Sequence, residues 1–195
     1  MTYGDNRDLT WEITEAPDYE HRKTEYVINF ISNLRPPPAT VIDVGVRDGY
    51  STEYFKKLGY DALGTDILDG FIKHAQERGR NVIFDDMVHT KINKKFDIVF
   101  SRHSLEHVAH PIRFVTNCIN LMGDDALLVI IVPLESKSSF YFPRKRQKHL
   151  CYFPTMDYFK RRFMRRFELK EIIFKKTREL GIKTDFNEIF FIGKK

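Results

Sequence analysis

Residues 41–49 read Val41-Ile42-Asp43-Val44-Gly45-Val46-Arg47-Asp48-Gly49. The run 40–44 is β-branched and apolar, suited to a strand buried on both faces. Two glycines four apart then predict a turn, and 51–58 has helical spacing with Ser51 placed to cap it. A strand entering a glycine turn and then a helix is where doubly wound sheets bind a nucleotide-bearing ligand. The spacing here is Gly-x-x-x-Gly, so the dinucleotide fingerprint Gly-x-Gly-x-x-Gly is not met. Asp43 stands just before the turn, where a carboxylate repels a pyrophosphate and attracts a cation. The stretch therefore predicts a nucleoside ligand that carries positive charge and no phosphate.

The same alternation continues on both sides. Upstream, 19–34 is a helix stopped by Pro36-Pro37-Pro38, since proline restricts the residue before it and donates no hydrogen bond. Downstream come a strand at 62–65 ending in Asp66, a helix at 70–78 closed by Gly79, and a strand at 82–84 ending in Asp85-Asp86. A strand at 96–100, a helix at 111–122 and the most apolar strand, 127–132, follow. Residues 134–154 form a long connection rich in aromatic and basic side chains, and a helix is expected at 155–164. Runs 167–174 and 188–192 read as an antiparallel strand pair at one edge. The expected fold is α/β: a doubly wound, mostly parallel seven-stranded sheet with helices on both faces and an antiparallel strand near the C-terminal edge.

At 195 residues with 42% apolar composition, one domain is expected, built around a substantial core. Its parts are an N-terminal arm and helix (1–38), a cofactor-binding core (39–133), a lid or acceptor region (134–166) and C-terminal strands (167–195). The longest apolar run, 126–133, is far short of the roughly 20 residues of a membrane span. Residues 1–11 are polar and charged, without the apolar centre of a secretory signal. Cys118 and Cys151 have no metal-ligand spacing and read as free thiols, so a cytoplasmic location is expected. The net charge of +5 conceals an asymmetry. Residues 137–178 carry fourteen basic against three acidic side chains, a local +11, while the remainder nets −6. That field favours an acidic partner.

With these residues in view, the sequence resembles the class I S-adenosylmethionine-dependent methyltransferases, especially the small-molecule group whose first motif reads Asp-x-Gly-x-Gly-x-Gly. Asp43, Gly45 and Gly49 match it, and Arg47 takes the place of the middle glycine. The resemblance implies S-adenosylmethionine as cofactor and S-adenosylhomocysteine as product. It implies that Asp66 grips the two ribose hydroxyls, with paired oxygens suited to a vicinal diol. One of Asp85 and Asp86 accepts from the adenine amino group while the Met87 amide meets the ring. Val46, Ile67 and Ser101 complete the implied cofactor set, and Arg47 either points outward or reaches the cofactor carboxylate. Ser104-Leu105-Glu106-His107-Val108 matches the Leu-Glu-His-Val segment that follows the fourth strand in the family. His107 would line the acceptor pocket, as general base or as a structural histidine bonded to backbone. His103 lies four positions earlier and would share a face with it if the segment is helical. A metal needs more ligands than this pair offers, so none is expected. Tyr141, Arg144 and His149, in the aromatic and basic stretch, are expected to contact the acceptor, and the N-terminal arm with Trp11 to fold over the cofactor.

Methyl transfer to an oxygen or nitrogen of a small, acidic metabolite or sugar is the leading expectation. An RNA methyltransferase ranks behind it. The +11 segment favours RNA, but Ser101-Arg102-His103-Ser104 stands where amino-methylating enzymes carry Asn/Asp-Pro-Pro-Tyr/Phe. Neither cysteine follows a proline, which argues against thiol-dependent cytosine chemistry. A non-catalytic cofactor-binding scaffold is the third reading, for which Arg47 is the main argument. The glycine spacing puts a nicotinamide dehydrogenase last.

Overall fold

The structure, a computed structural model, describes residues 16–133, 155, 161, 171–176 and 188–195. Its elements in chain order are α1 (Asp18–Leu34), β1 (Thr40–Val44), α2 (Tyr50–Lys57), β2 (Asp61–Asp66), α3 (Asp69–Glu77), β3 (Val82–Phe84), β4 (Phe96–Arg102), α4 (Pro111–Asn120), β5 (Met122–Pro133), β6 (Glu171–Lys176) and β7 (Glu188–Lys194). A short 3₁₀ turn, Leu105–His107, lies between β4 and α4. The strands form one seven-stranded sheet in the order β3-β2-β1-β4-β5-β7-β6. β3, β2, β1, β4 and β5 run parallel, and β7 is antiparallel to both β5 and β6.

Alternation along the strands assigns side chains to two cores. On one face, Val41, Ile98, Phe100, Leu127, Val129 and Ile131 pack under α1, through Val27, Ile28 and Ile31, and under Phe55 of α2. Phe55 meets Phe100 and Tyr60 edge-on, with centroids 5.7 and 5.4 Å apart. On the other face, Ile42, Val44, Val99, Leu128, Ile130 and Val132 pack under Phe114, Val115 and Cys118 of α4. α3 closes on Val46 and Val82 through Ile72 and Ala75. Cys118 is a free, buried thiol.

Several expected boundaries move. β5 begins at Met122, five residues before the expected strand, because Met122 pairs with Phe96 and a register shift between Phe96 and Ile98 absorbs the polar residues before Ala126. α4 accordingly stops at Asn120. The penultimate strand is Glu171–Lys176, later than the expected run 167–174. The helix expected at 155–164 falls outside the described residues apart from 155 and 161. The chain runs from β1 outward through β2 to β3 and returns to β4 on the other side of β1, so the reversal of strand order falls between β1 and β4. That crevice, at the carboxyl ends of the strands, is where ligands bind in open α/β sheets.

Candidate cofactor and acceptor site

The turn after β1 is held in left-handed backbone at three positions, Gly45 (φ 77°), Arg47 (φ 54°) and Gly49 (φ 78°). The Gly45 and Val46 amides both donate to the Thr65 carbonyl, at 2.8 and 3.0 Å, which fastens the turn to β2. A Cβ on Gly45 would fall 2.0 Å from the Ser104 Oγ. The Ser104 hydroxyl donates to the Val44 carbonyl at 3.1 Å, so the loop after β4 lies directly on the turn. Gly49 is in close quarters with Val82, Ala75 and Arg80, where a Cβ would meet them at 3.0 to 3.2 Å. Gly49, rather than Ser51, is the N-cap of α2, and Ser51 makes no capping bond. Ser51 and Thr52 instead bring their hydroxyls toward Asp43, where they draw its carboxyl down.

Asp43 is 2% exposed and its Oδ2 has no hydrogen-bond partner among the described residues. Burial, aided by the nearby negative charges of Asp66 and Asp48, pushes its carboxyl up to about 7 against the pull of the two hydroxyls. A buried acid with one orphaned oxygen, and no cation beside it among the described residues, fits a ligand that brings positive charge. At the end of β2, Asp66 accepts from the Arg47 amide (2.9 Å) and the Leu68 amide (3.0 Å), one on each oxygen. It thereby organises the turn and the entry to α3, and each oxygen keeps a lone pair. Burial raises its carboxyl above the usual range despite these bonds. Beside it, Ile67 and Phe84 are exposed apolar side chains at the ends of β2 and β3. The Arg47 guanidinium stands 5.8 Å from the centre of the Phe71 ring of α3, which places it on the Asp66 side of the turn. Val46, buried, packs under α3.

The acids after β3 build their own loop. Asp86 accepts from the Val88 amide at 2.9 Å and pairs with His89 Nδ1 at 3.1 Å. Asp85 is raised by burial against bonds from Thr90 and the Lys91 amide, and its Oδ2 is buried without a partner among the described residues. Met87 is buried, and its carbonyl accepts from the Asn117 amide group at 2.8 Å.

The turn is also tied to the start of α1. Asp48 accepts from the Ala16 amide (2.7 Å) and the Tyr50 amide (3.1 Å) and pairs with His21 Nε2 (3.4 Å). Burial works against its charge, but these donors prevail and hold the carboxyl below the usual range. His21 stacks on Tyr50 with ring centroids 3.7 Å apart. The N-terminal helix thus enters against the glycine turn, while Trp11 lies outside the described residues.

On the β4 side, the Ser101 hydroxyl is buried and donates to the Val44 carbonyl at 3.0 Å, joining β4 to β1. His103 and His107 do not share a helical face. His103 sits before the 3₁₀ turn in left-handed backbone (φ 55°), whereas His107 ends that turn. The His103 Nε2 lies 2.8 Å from Oε1 of Glu188, the first residue of β7. Arg102 reaches the same oxygen at 2.9 Å, Glu20 at 3.5 Å and the Thr24 hydroxyl at 3.3 Å. Glu188 is fully buried; burial alone would raise its carboxyl, but His103 and Arg102 bring it down to about 2. Glu188, Arg102 and Glu20 were not among the expected site residues. The only sequence signal was a glutamate opening the otherwise apolar run 188–192. Tyr141, Arg144 and His149 lie outside the described residues. Among the described residues no group of three or more His, Cys, Asp or Glu is placed to hold a metal ion.

A parallel sheet with a glycine turn at its reversal point, a cation-seeking acid before that turn and an acid ending the next strand define the class: a Rossmann-like nucleoside-cofactor fold of the methyltransferase type. A family model described as a methyltransferase domain matches residues 19–170, and the chain belongs to that family, whose methyl donor is S-adenosylmethionine. The chain is 32% identical over 100 residues to a ubiquinone biosynthesis O-methyltransferase from Actinobacillus pleuropneumoniae, covering 45% of this chain and 43% of that one. It thus spans less than half the length of that relative. Among solved structures, a Haemonchus contortus phosphoethanolamine N-methyltransferase with bound S-adenosylhomocysteine aligns at a TM-score of 0.72 and 14% identity, covering 98% of this chain and 60% of that one. The magnesium protoporphyrin IX methyltransferase of Synechocystis aligns at 0.66 and 13%, covering 97% and 92%. At these identities the two structures show the fold alone.

Proposed function

We propose that this chain transfers the methyl group of S-adenosylmethionine to an oxygen of a small acceptor at the carboxyl edge of the sheet. The observation that carries the reading is Asp43, an acid at the end of β1 that is enclosed, has an orphaned oxygen and lacks a cationic partner among the described residues. The cofactor supplies an ammonium and a reactive sulfonium methyl. Asp43 would favour that positive charge. Asp66 would offer its remaining lone pairs to the ribose hydroxyls, and Ile67 apolar surface to the adenine. Asp85, with its unpartnered Oδ2, would take the adenine amino group, while Asp86 orders the loop through Val88 and His89. Ser101 and Ser104 would hold β4 against the turn rather than touch the ligand. Because the donor is already activated, orienting the acceptor oxygen and removing its proton are what remain for the protein. His103 and His107, both at that edge, are the candidate proton acceptors. The O-methyltransferase relatives support oxygen over nitrogen.

The proposed acceptor is a small molecule, acidic if residues 137–178 face it. No helix among the described residues is long and apolar enough to cross a membrane. Calorimetry with S-adenosylhomocysteine, together with methyl transfer to catechol followed by mass spectrometry, tests the reading. Absence of cofactor binding by the intact protein overturns it.

A further inference from the structure

From the contact between the end of β4 and the start of β7, we infer that Glu188 is a positioning residue for His103, and that His103 is the general base of the proposed transfer. The inference rests on the methyl-transfer reading above and deepens it by choosing between the two histidines.

The two side chains meet through one oxygen and one nitrogen, Glu188 Oε1 and His103 Nε2, 2.8 Å apart. The Glu188 side chain is wholly enclosed, while that of His103 keeps 33% of its surface open. The Nε2 atom itself is buried, so the open part of the ring lies away from Glu188. The contact is an ion-pair distance without hydrogen-bond alignment. A carboxylate offers only acceptors, so an Nε2 lone pair facing it at this range would be repelled, and the neutral imidazole is favoured with its proton on Nε2. That fixes the tautomer and leaves the lone pair on Nδ1, the only base the ring has left. The charges facing this pair come from three elements: Arg102 beside it on β4, Glu188 on β7, and Glu20 of α1 behind Arg102. His103 and Arg102 together hold Glu188 ionised against its burial, so a negative charge faces Nε2 through the working pH range. His103 is held in left-handed backbone, a conformation an L side chain adopts at a cost, and its amide is fixed by a 2.9 Å bond to the Ile131 carbonyl. Strain of this kind persists where the surroundings over-determine it.

In the step itself, a lone pair of the acceptor oxygen forms the new O–C bond as the S–C bond breaks. The S–C pair remains on sulfur as a thioether, and the acceptor proton passes to His103 Nδ1 and then to water. Glu188 meets neither substrate nor cofactor in this arrangement. It orients the base and stabilises the imidazolium that forms.

Two measurements test this. In ¹⁵N-histidine-labelled protein, with the His103 signals assigned from His103→Gln, the neutral ring should be the Nε2–H tautomer with a directly observable, slowly exchanging Nε2–H proton. That proton signal should vanish in Glu188→Leu/Arg102→Met, a double variant that leaves no unpaired buried charge. An Nδ1–H tautomer in the wild type, or an Nε2–H signal that survives loss of Glu188, overturns the inference. With catechol as probe acceptor, His103→Gln should lower kcat about 100-fold or more, and the double variant about 10-fold, both with S-adenosylhomocysteine affinity unchanged. Wild-type kcat in His103→Gln removes His103 as base and leaves methyl transfer standing. Loss of cofactor binding in the wild type sinks the methyl-transfer reading, while the spectroscopic arm still decides the Glu188–His103 pairing.

Discussion

Replacing Asp43 by asparagine sets stability against ligand binding at a single site. In the folded chain the Asp43 carboxyl is pushed up to about 7, against 3.8 in an exposed chain, mainly by burial. The native state therefore holds a proton that the unfolded state releases between these values. Stability from this group is fully present below about pH 4 and is lost as pH rises through about 7. Three pH units at 1.36 kcal/mol each make the loss about 4 kcal/mol at pH 8. The asparagine side chain cannot ionise and escapes that loss, but its amide group would take the place of an enclosed oxygen that has no hydrogen-bond partner among the described residues. An unsatisfied buried donor costs about 1–3 kcal/mol. The ligand-free variant should thus be about 2 kcal/mol more stable than wild type at pH 8, and no more stable at pH 5. Urea unfolding at the two pH values reads both numbers. The functional half follows from the same proton. A cationic cofactor selects the ionised acid, so wild-type affinity should climb up to about tenfold per pH unit below pH 7, with proton release on binding. The variant should bind more weakly and without that slope. Asp43→Asn less stable than wild type at both pH values, with wild-type cofactor affinity flat from pH 5.5 to 7.5, would refute the reasoning.

Asp66→Ala should weaken S-adenosylhomocysteine binding by about 1.5–3 kcal/mol, and should also destabilise the free protein by about 1 kcal/mol because the Arg47 and Leu68 amides lose their acceptor; unchanged affinity by calorimetry would remove Asp66 from the site. Arg47→Gly should leave stability unchanged or raise it by up to about 1 kcal/mol, since left-handed backbone is strained for arginine and free for glycine. Arg47→Val should cost about 1–2 kcal/mol in the same urea experiment, and equal stabilities would show that the turn relaxes. If residues 137–178 track RNA through about six phosphates, the log–log salt slope of binding should be near −4; weak binding at physiological salt supports a small acceptor instead.

The proposed cofactor half of the site could be read in the sequence because its residues are local. Asp43, the glycine turn and Asp66 lie within one β-α-β unit, and both the hydrophobic period and the glycine spacing are short-range signals. Even so, the roles of single side chains depended on what lay across the fold. Ser51 looks like a helix cap in sequence, yet Gly49 takes the left-handed cap position, and the serine's effect is on the Asp43 carboxyl instead. The acceptor half was less legible. Glu188 and Arg102 are 86 positions apart, and no periodicity in either segment announces their pairing. The two histidines suggested a helical pair, but the left-handed residue at His103 breaks that register before the 3₁₀ turn begins.

Two buried carboxylates at one sheet edge have been pushed in opposite directions, and the contrast assigns their parts. Glu188 is enclosed with its cations already supplied by the chain, Arg102 and His103, and stays ionised down to about pH 2. Its charge is committed, so it can orient a neighbour but has little to offer a ligand. Asp43 is enclosed near two like charges, Asp66 and Asp48, with no cation beside it among the described residues, and holds its proton to about pH 7. Its charge is the uncommitted one. Environments that drive two acids apart in this way separate a structural anion from a group poised for its ligand. On the proposed reading they also divide the crevice, with Asp43 at the end of β1 for a cationic donor and Glu188 behind His103 at the end of β4. The reacting methyl would pass between those two regions, across the reversal point of the sheet.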